Sequence, residues 1–351
     1  MIKKIVLIFT VLAVFSVGIF LGTRVLNSKK ATEQLAERMA SYRVTADISI
    51  EPTEEVRNFE VRSEIIPELK PHWHGPGDSA YDPDHHLIVD FPIFMVTEDS
   101  WLTGIDIDVN NAPKEIIHHL LPFSKAFPGI VCLEEYSGIP VFGFGYDSIH
   151  ESIKLPEPYA IFVPAGSLFL IDAMVHNPKP PVGPGGDYAN VRVSANFKIQ
   201  KVNDRNDKKI VKPFVLYLSD QFCRPNIYEY IFEVPPLIKN FTKKTDQTEY
   251  GDSSFYQFKE SGEIIYAYGH LHGWDGGKKI EIFKNDEMVD TLKTFRFDSE
   301  DKPWLWETER SDKKIWVEKG DVISIAATYS NPYSAPIRGA MADYFFFFLP
   351  D

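Results

Sequence analysis

The sequence predicts an all-β protein: two tandem antiparallel β-sandwich domains that follow an N-terminal transmembrane helix. Three observations carry that expectation. From Phe59 onward, short runs rich in Ile, Val, Phe and Tyr are punctuated by Pro, Gly, Asn and Asp, the pattern of strands closed by turns. Long apolar repeats at helical spacing are scarce over the same region. A polar stretch from Asn203 to Lys209 then divides the body into two similar halves, which suggests two stacked sandwiches.

The N-terminus is an address before it is part of a fold. After Met1-Ile2-Lys3-Lys4, an uncharged and mostly apolar run extends from Ile5 to Gly22, about the length a helix needs to cross a hydrocarbon core. The run leads into Thr23-Arg24-Val25-Leu26 without a small-x-small cleavage pattern, which favours an uncleaved signal-anchor over residues 1–27. Secretion after signal-peptide cleavage is the alternative. Lys3 and Lys4 are balanced by Arg24, Lys29 and Lys30, so the flanking charges leave the orientation open, and the membrane-anchored, extracytoplasmic location is an inference from the anchor. Residues 28–58 read as a helical stalk, with Ala31, Leu35, Arg38 and Met39 at helical spacing, and then as a linker around Pro52 and its glutamates. The two sandwiches are expected over residues 59–202 and 203–351.

Strand candidates follow in order. In the first half they are Leu87 to Phe91, Leu102 to Val109, Ile116 to Phe123, Tyr159 to Phe162, Leu168 to Val175 and Val191 to Ile199. The second half offers Phe214 to Leu218, Ile264 to His272, Lys278 to Phe283, Glu287 to Phe295, Val322 to Tyr329 and Tyr344 to Leu349. A hairpin-like connector is expected around Asp275-Gly276-Gly277.

Composition narrows the partners. Of 351 residues 44% are hydrophobic and 25% charged, ordinary for a packed protein. The formal net charge of -13, from 37 basic and 50 acidic residues, repels a phosphate backbone and argues against nucleic acid as a partner. Cys132 and Cys223 are the only cysteines and can form at most one bridge.

The histidines carry the chemistry. His270-Leu271-His272 places two imidazoles on one face of a strand, where they can chelate one ion. A pair of surface strand histidines is the competing reading. His118-His119 lies in the apolar run Glu115 to Phe123. Consecutive strand residues face opposite ways, so both reach one metal only if the strand bulges, kinks or ends there. His176 ends an apolar run just before Asn177-Pro178, a position suited to a ligand. Met341, ahead of four phenylalanines, is core filling or a thioether ligand, and a thioether prefers cuprous copper.

In this order the motifs resemble the copper type II, ascorbate-dependent monooxygenases, the family of peptidylglycine alpha-hydroxylating monooxygenase and dopamine beta-monooxygenase. The resemblance covers the body from about Phe91 to the C-terminus and includes Trp101-Leu102-Thr103-Gly104 ahead of the His-His pair. It implies jelly-roll-like sandwiches and two copper ions per chain. His118, His119 and His176 would hold the copper that relays electrons. His270, His272 and Met341 would hold the copper that meets O2 and a small-molecule substrate, and are the catalytic residues it implies. Ascorbate would be the reductant, and a C–H bond would be hydroxylated. Departures bear on the substrate. The peptide-hydroxylating branch has an arginine two residues before H-x-H, where Tyr268 stands here. It has an asparagine and a tyrosine after the methionine, where this chain has Asp343 and Phe345. Peptidylglycine is therefore not the expected substrate.

Two further readings compete: a non-catalytic copper-binding or copper-handling extracytoplasmic protein on the same fold, and a structural sandwich with incidental histidines. His72, His74, His85 and His86 in Pro/Gly-rich loops are either a third metal site or loop decoration, and His150 is an ordinary polar residue. Asp172 and Asp343 stand near ligand positions, as imidazole-orienting carboxylates or as solvated strand-edge residues.

Overall fold

The computed structural model describes residues 46–70, 87–124, 139–140, 144–145, 153–177, 187–218, 232–244, 255–271, 276–296 and 306–351. These are all-β: apart from the 3-10 turn Lys114–Ile116, every described element is a strand. No helix among them is long and apolar enough to cross a membrane. The expected anchor and the stalk up to Thr45 lie outside the described residues, as do Cys132, Cys223, His72, His74, His85, His86 and His150.

Ala46–Asp351 is one compact unit. Its first part is two facing sheets. One runs Ile48–Ile50, Phe94–Val96, Leu168–Val175, Ile117–Ser124, Ile139–Pro140. The other runs Lys209–Ile210, Tyr159–Val163, Ser100–Asn110, Tyr188–Lys201, Arg57–Arg62. Alternation explains the packing: Val191, Val193, Ala195, Phe197 and Ile199 are buried along one strand and point to the same face. Phe94 stacks on Phe169 at 4.8 Å within its sheet and meets Phe197 of the facing sheet at 4.9 Å. Burying each such side chain stabilises by roughly 1.5–3 kcal/mol.

The second part repeats the sandwich-like arrangement. Lys212–Leu218, Ala342–Pro350 and Gly262–Leu271 form one sheet with Arg310–Ser311 and Ile315–Val317, while Ile238–Lys244, Val322–Asn331, Gly277–Lys284, Glu287–Arg296 and Trp306–Thr308 form the other, with Phe255–Gln257 also pairing to Val322–Asn331. Leu216, Ala267 and Phe346 of the first share a core with Ile280, Ile282, Ile323 and Ile325 of the second. The sheet containing Ala342–Pro350 is covered on both faces. Phe346 and Phe348 enter the core of the second part, whereas Phe345 and Phe347 join that of the first. An unbroken phenylalanine run is what a strand with two dry faces requires.

Strands occur at the expected places, most with shifted bounds, although Leu87 to Phe91 is reduced to Leu87–Ile88. The first sheets also begin earlier than expected, inside the stretch read as linker: Ile48–Ile50 pairs with Phe94–Val96, and Arg57–Arg62 with Tyr188–Lys201. Arg57, Asn58, Glu60 and Arg62 are exposed and only Val61 is fully buried in that edge strand, so charge that protects the edge also hides its alternation. At the other end, Lys209–Ile210 pairs with Tyr159–Val163, so the first sheets take in residues beyond the expected boundary at 202.

The connector at Gly276-Gly277 is not a hairpin. Gly262–Leu271 and Gly277–Lys284 lie in different sheets, and Gly276 (φ +78°) passes so close to Ser330 that a Cβ would sit 2.0 Å from its carbonyl oxygen. The glycine permits a crossing between layers. The hairpin lies further on at Asn285-Asp286, both with positive φ, joining strands whose last pair is Lys284 with Glu287.

Candidate metal centre

His118 owes its position to an irregular ladder. Met174 pairs with His119 and Val175 with Ile117, which leaves His118 as the extra residue of a β-bulge, a device that re-aims a side chain. The bulge was the condition under which the adjacent histidines could serve one site. His118 is completely buried. His176 follows the neighbouring strand and is held on both sides. Its N–H donates to Ile116 O at 2.8 Å, and the buried amide of Asn177 donates to Leu69 O at 3.2 Å. The His118 and His176 rings meet edge-on, centroids 5.1 Å apart.

His270 comes from the other part of the molecule. The residue before it, Gly269, has no room for a side chain, since a Cβ would lie 2.8 Å from Thr308 Cγ2 and 2.9 Å from Ile280 Cδ1. That close approach beds the strand deeply on the facing sheet and turns His270, with Tyr268, towards the first part. The His270 ring lies 6.5 Å from that of His118, at 90°. Histidines from both parts thus converge in one buried cluster, rather than standing apart across an open cleft. Asp343 is the cross-strand neighbour of His270 and is buried as well.

Burial sets the protonation states. It pushes the His270 pKa down to about 3 and raises that of Asp343 well above the usual carboxylate range. Imidazole is then neutral at physiological pH, the form that donates a lone pair to a metal. With metal–nitrogen bonds of about 2.0 Å, two imidazoles at a tetrahedral angle on one ion place their centroids about 5 Å apart. The His118–His176 spacing of 5.1 Å fits that arrangement, and His270 stands near the outer limit for sharing an ion with His118. Among the described residues no three His, Cys, Asp or Glu groups are placed to hold an ion. The expected triads draw on the His119 side chain and on His272, both outside the described set, as is the Asp172 side chain.

Met341 is half-buried. It joins neither hydrophobic core, although Ala340 and Ala342 on either side belong to one. Tyr268, standing where the peptide-hydroxylating branch has its arginine, is fully buried and stacked on Phe345 at 5.0 Å and 11°. That contact offers no cation for a carboxylate. Sequence reasoning missed Gly269, Asn177 and Tyr329, which hold the histidines and Met341 in place. No local pattern marks them, because each depends on a contact with a distant segment: Gly269 with Thr308 and Ile280, Asn177 with Leu69, and Tyr329 with Met341.

The sequence matches no family model and no curated protein. Among solved structures, the chain is similar to one from the cryo-EM structure of broad bean stain virus, at 10% identity over 88% of this chain and 92% of that one, with a TM-score of 0.29. It is also similar to the Faustovirus major capsid protein, at 8% identity over 85% and 86% of the chains, with a TM-score of 0.22. A third likeness is to the triple jelly roll of an archaeal virus, at 7% identity over 82% and 59%, with a TM-score of 0.17. Scores of this size assign neither a fold family nor an activity.

Proposed function

We propose that the chain is a copper-dependent monooxygenase that hydroxylates a C–H bond of a small substrate, using O2 and an external donor such as ascorbate. In this reading two jelly-roll-like sandwich domains carry the site, and the N-terminal helix anchors them at a membrane as an extracytoplasmic enzyme. One observation supports it most directly: His118 and His176 from one part and His270 from the other meet as buried imidazoles. His118, His119 and His176 would hold one copper, and His270, His272 and Met341 the other. Copper, when bound, supplies the one-electron steps and the activation of O2. The protein's share is to keep the donor nitrogens neutral by burial, to exclude water around them, and to present a soft thioether that favours the reduced ion.

A second reading, a non-catalytic copper-handling protein, draws on the depth of the cluster. His118, His176 and His270 are 0%, 1% and 2% exposed, whereas an oxygenase needs an open coordination position within reach of substrate. Copper analysis and turnover separate the two. The enzyme reading expects about two copper ions per chain, with ascorbate-driven O2 consumption coupled to a hydroxylated product. It also expects Met341→Ile, close in volume, to lower that turnover at least a hundredfold. Copper without turnover leaves the handling protein, and no copper at all removes both readings.

A further inference from the structure

We propose that Tyr329 is a positioning residue for Met341: its buried hydroxyl, bonded to the Met341 carbonyl, fixes the backbone from which the thioether reaches copper. The inference rests on the copper reading above and extends it to a residue outside the ligand set.

Met341 sits where the chain changes sheets. Ile337–Ala340 pairs with Phe232–Val234, and Ala342–Pro350 pairs with Lys212–Leu218 and Gly262–Leu271, so Met341 itself is in neither strand. A carbonyl at such a changeover needs a partner from elsewhere. The Tyr329 hydroxyl supplies it, donating to Met341 O at 2.5 Å. Tyr329 is itself enclosed by its surroundings. It is fully buried, its backbone is paired with Phe241 on one side and Gly277 on the other, and its ring packs edge-on against Phe232 at 5.3 Å and 84°.

The alternative role, satisfying a stray carbonyl, does not explain the disposition of Met341. A methionine placed to fill space would be packed into one of the two cores, and Met341 joins neither. Met341 instead stays half-buried, two residues from Asp343, the cross-strand neighbour of His270. The thioether is carried on a side chain with three rotatable bonds, so its position depends on how firmly the peptide beneath it is held. A rigid phenol bonded to that peptide restricts where the sulfur can go before metal arrives, the kind of outer support that ligands need for affinity.

The test uses the full chain loaded with Cu(I), comparing wild type, Tyr329→Phe, Met341→Ile and the double variant. X-ray absorption reads the copper–sulfur contact, and competition with a chromogenic chelator reads affinity. Phenylalanine keeps the ring contacts and removes only the hydroxyl. The expected result is a weakened or lost sulfur signal in Tyr329→Phe with the imidazole signal intact. Affinity should fall on the order of 10–100-fold, and this fall should vanish in the Met341→Ile background. An unchanged sulfur signal and affinity in Tyr329→Phe overturns the inference while leaving Met341 as a ligand. An affinity loss of equal size in both backgrounds also overturns it, by showing general loosening. A wild type without copper–sulfur contact overturns the ligand reading itself, and the inference with it.

Discussion

The two faces of the Ala342–Pro350 strand are buried alike and built differently. On one, Tyr344, Phe346 and Phe348 pack into the core of the second part; Phe214 stacks on Phe346 at 5.2 Å, and Phe258 tilts against Phe348 at 4.8 Å. On the other, Phe345 and Phe347 meet the first part, but the row ends in Asp343 beside His270. The first face carries no group that titrates near neutral pH. The second carries the Asp343 carboxyl, with the His270 imidazole beside it on the neighbouring strand, both desolvated. A contact made only to hold the parts together would be filled with apolar side chains, which are as stable or more so than buried ionisable groups. The difference therefore separates a face packed with apolar and aromatic side chains from one that buries ionisable groups.

Truncation gives the largest expected effect on this contrast. Phe346→Ala should lower the unfolding free energy by about 3–5 kcal/mol, read by denaturant titration of the metal-free chain. Phe345→Ala should cost a similar amount if the second face is equally well packed. A cost less than half as large would mark the contact between the parts as loose.

Acid gives the next effect. His270 titrates at about 3 in the folded chain against 6.5 unfolded, so its contribution is fully present above the unfolded value and is lost as pH falls towards the folded one. By a pH of about 4.5 the loss should reach about 2–3 kcal/mol. His270→Phe should flatten that part of the stability profile, and an unchanged slope would show that His270 is already charged in the fold.

Asp343 acts with the opposite sign. Burial raises its folded pKa well above the usual carboxylate range. Its contribution is therefore present below the unfolded pKa and is lost as pH rises through the folded one. Asp343→Asn should stabilise the metal-free chain at neutral pH, with the gain disappearing in acid. A loss at neutral pH would show instead that the ionised carboxylate is held by a cation in the fold.

Much of this contrast was legible in advance, and the reasons lie in particular residues. The apolar run Tyr344 to Leu349 announces a strand, though not that both its faces are dry, and Leu168–Val175 is found with the bounds its composition suggests, because strand composition leaves a local trace. Arg57–Arg62 left no such trace, since an edge strand buries little. Asp275-Gly276-Gly277 misled because glycine reports a tight passage without saying whether the chain turns back or crosses over. Asn285-Asp286 carried the turn chemistry that was overlooked.

The sequence by itself determined the strand grammar, the phenylalanine alternation and the candidate donors, because these depend on neighbours a few residues away. Only the tertiary structure decided that His118 is the bulge residue, that His270 lies against it, and that Tyr329 holds the Met341 carbonyl. Those relations join residues on different sheets. They follow from how whole layers of side chains pack against one another, and no local pattern encodes which distant partner a buried polar group will find.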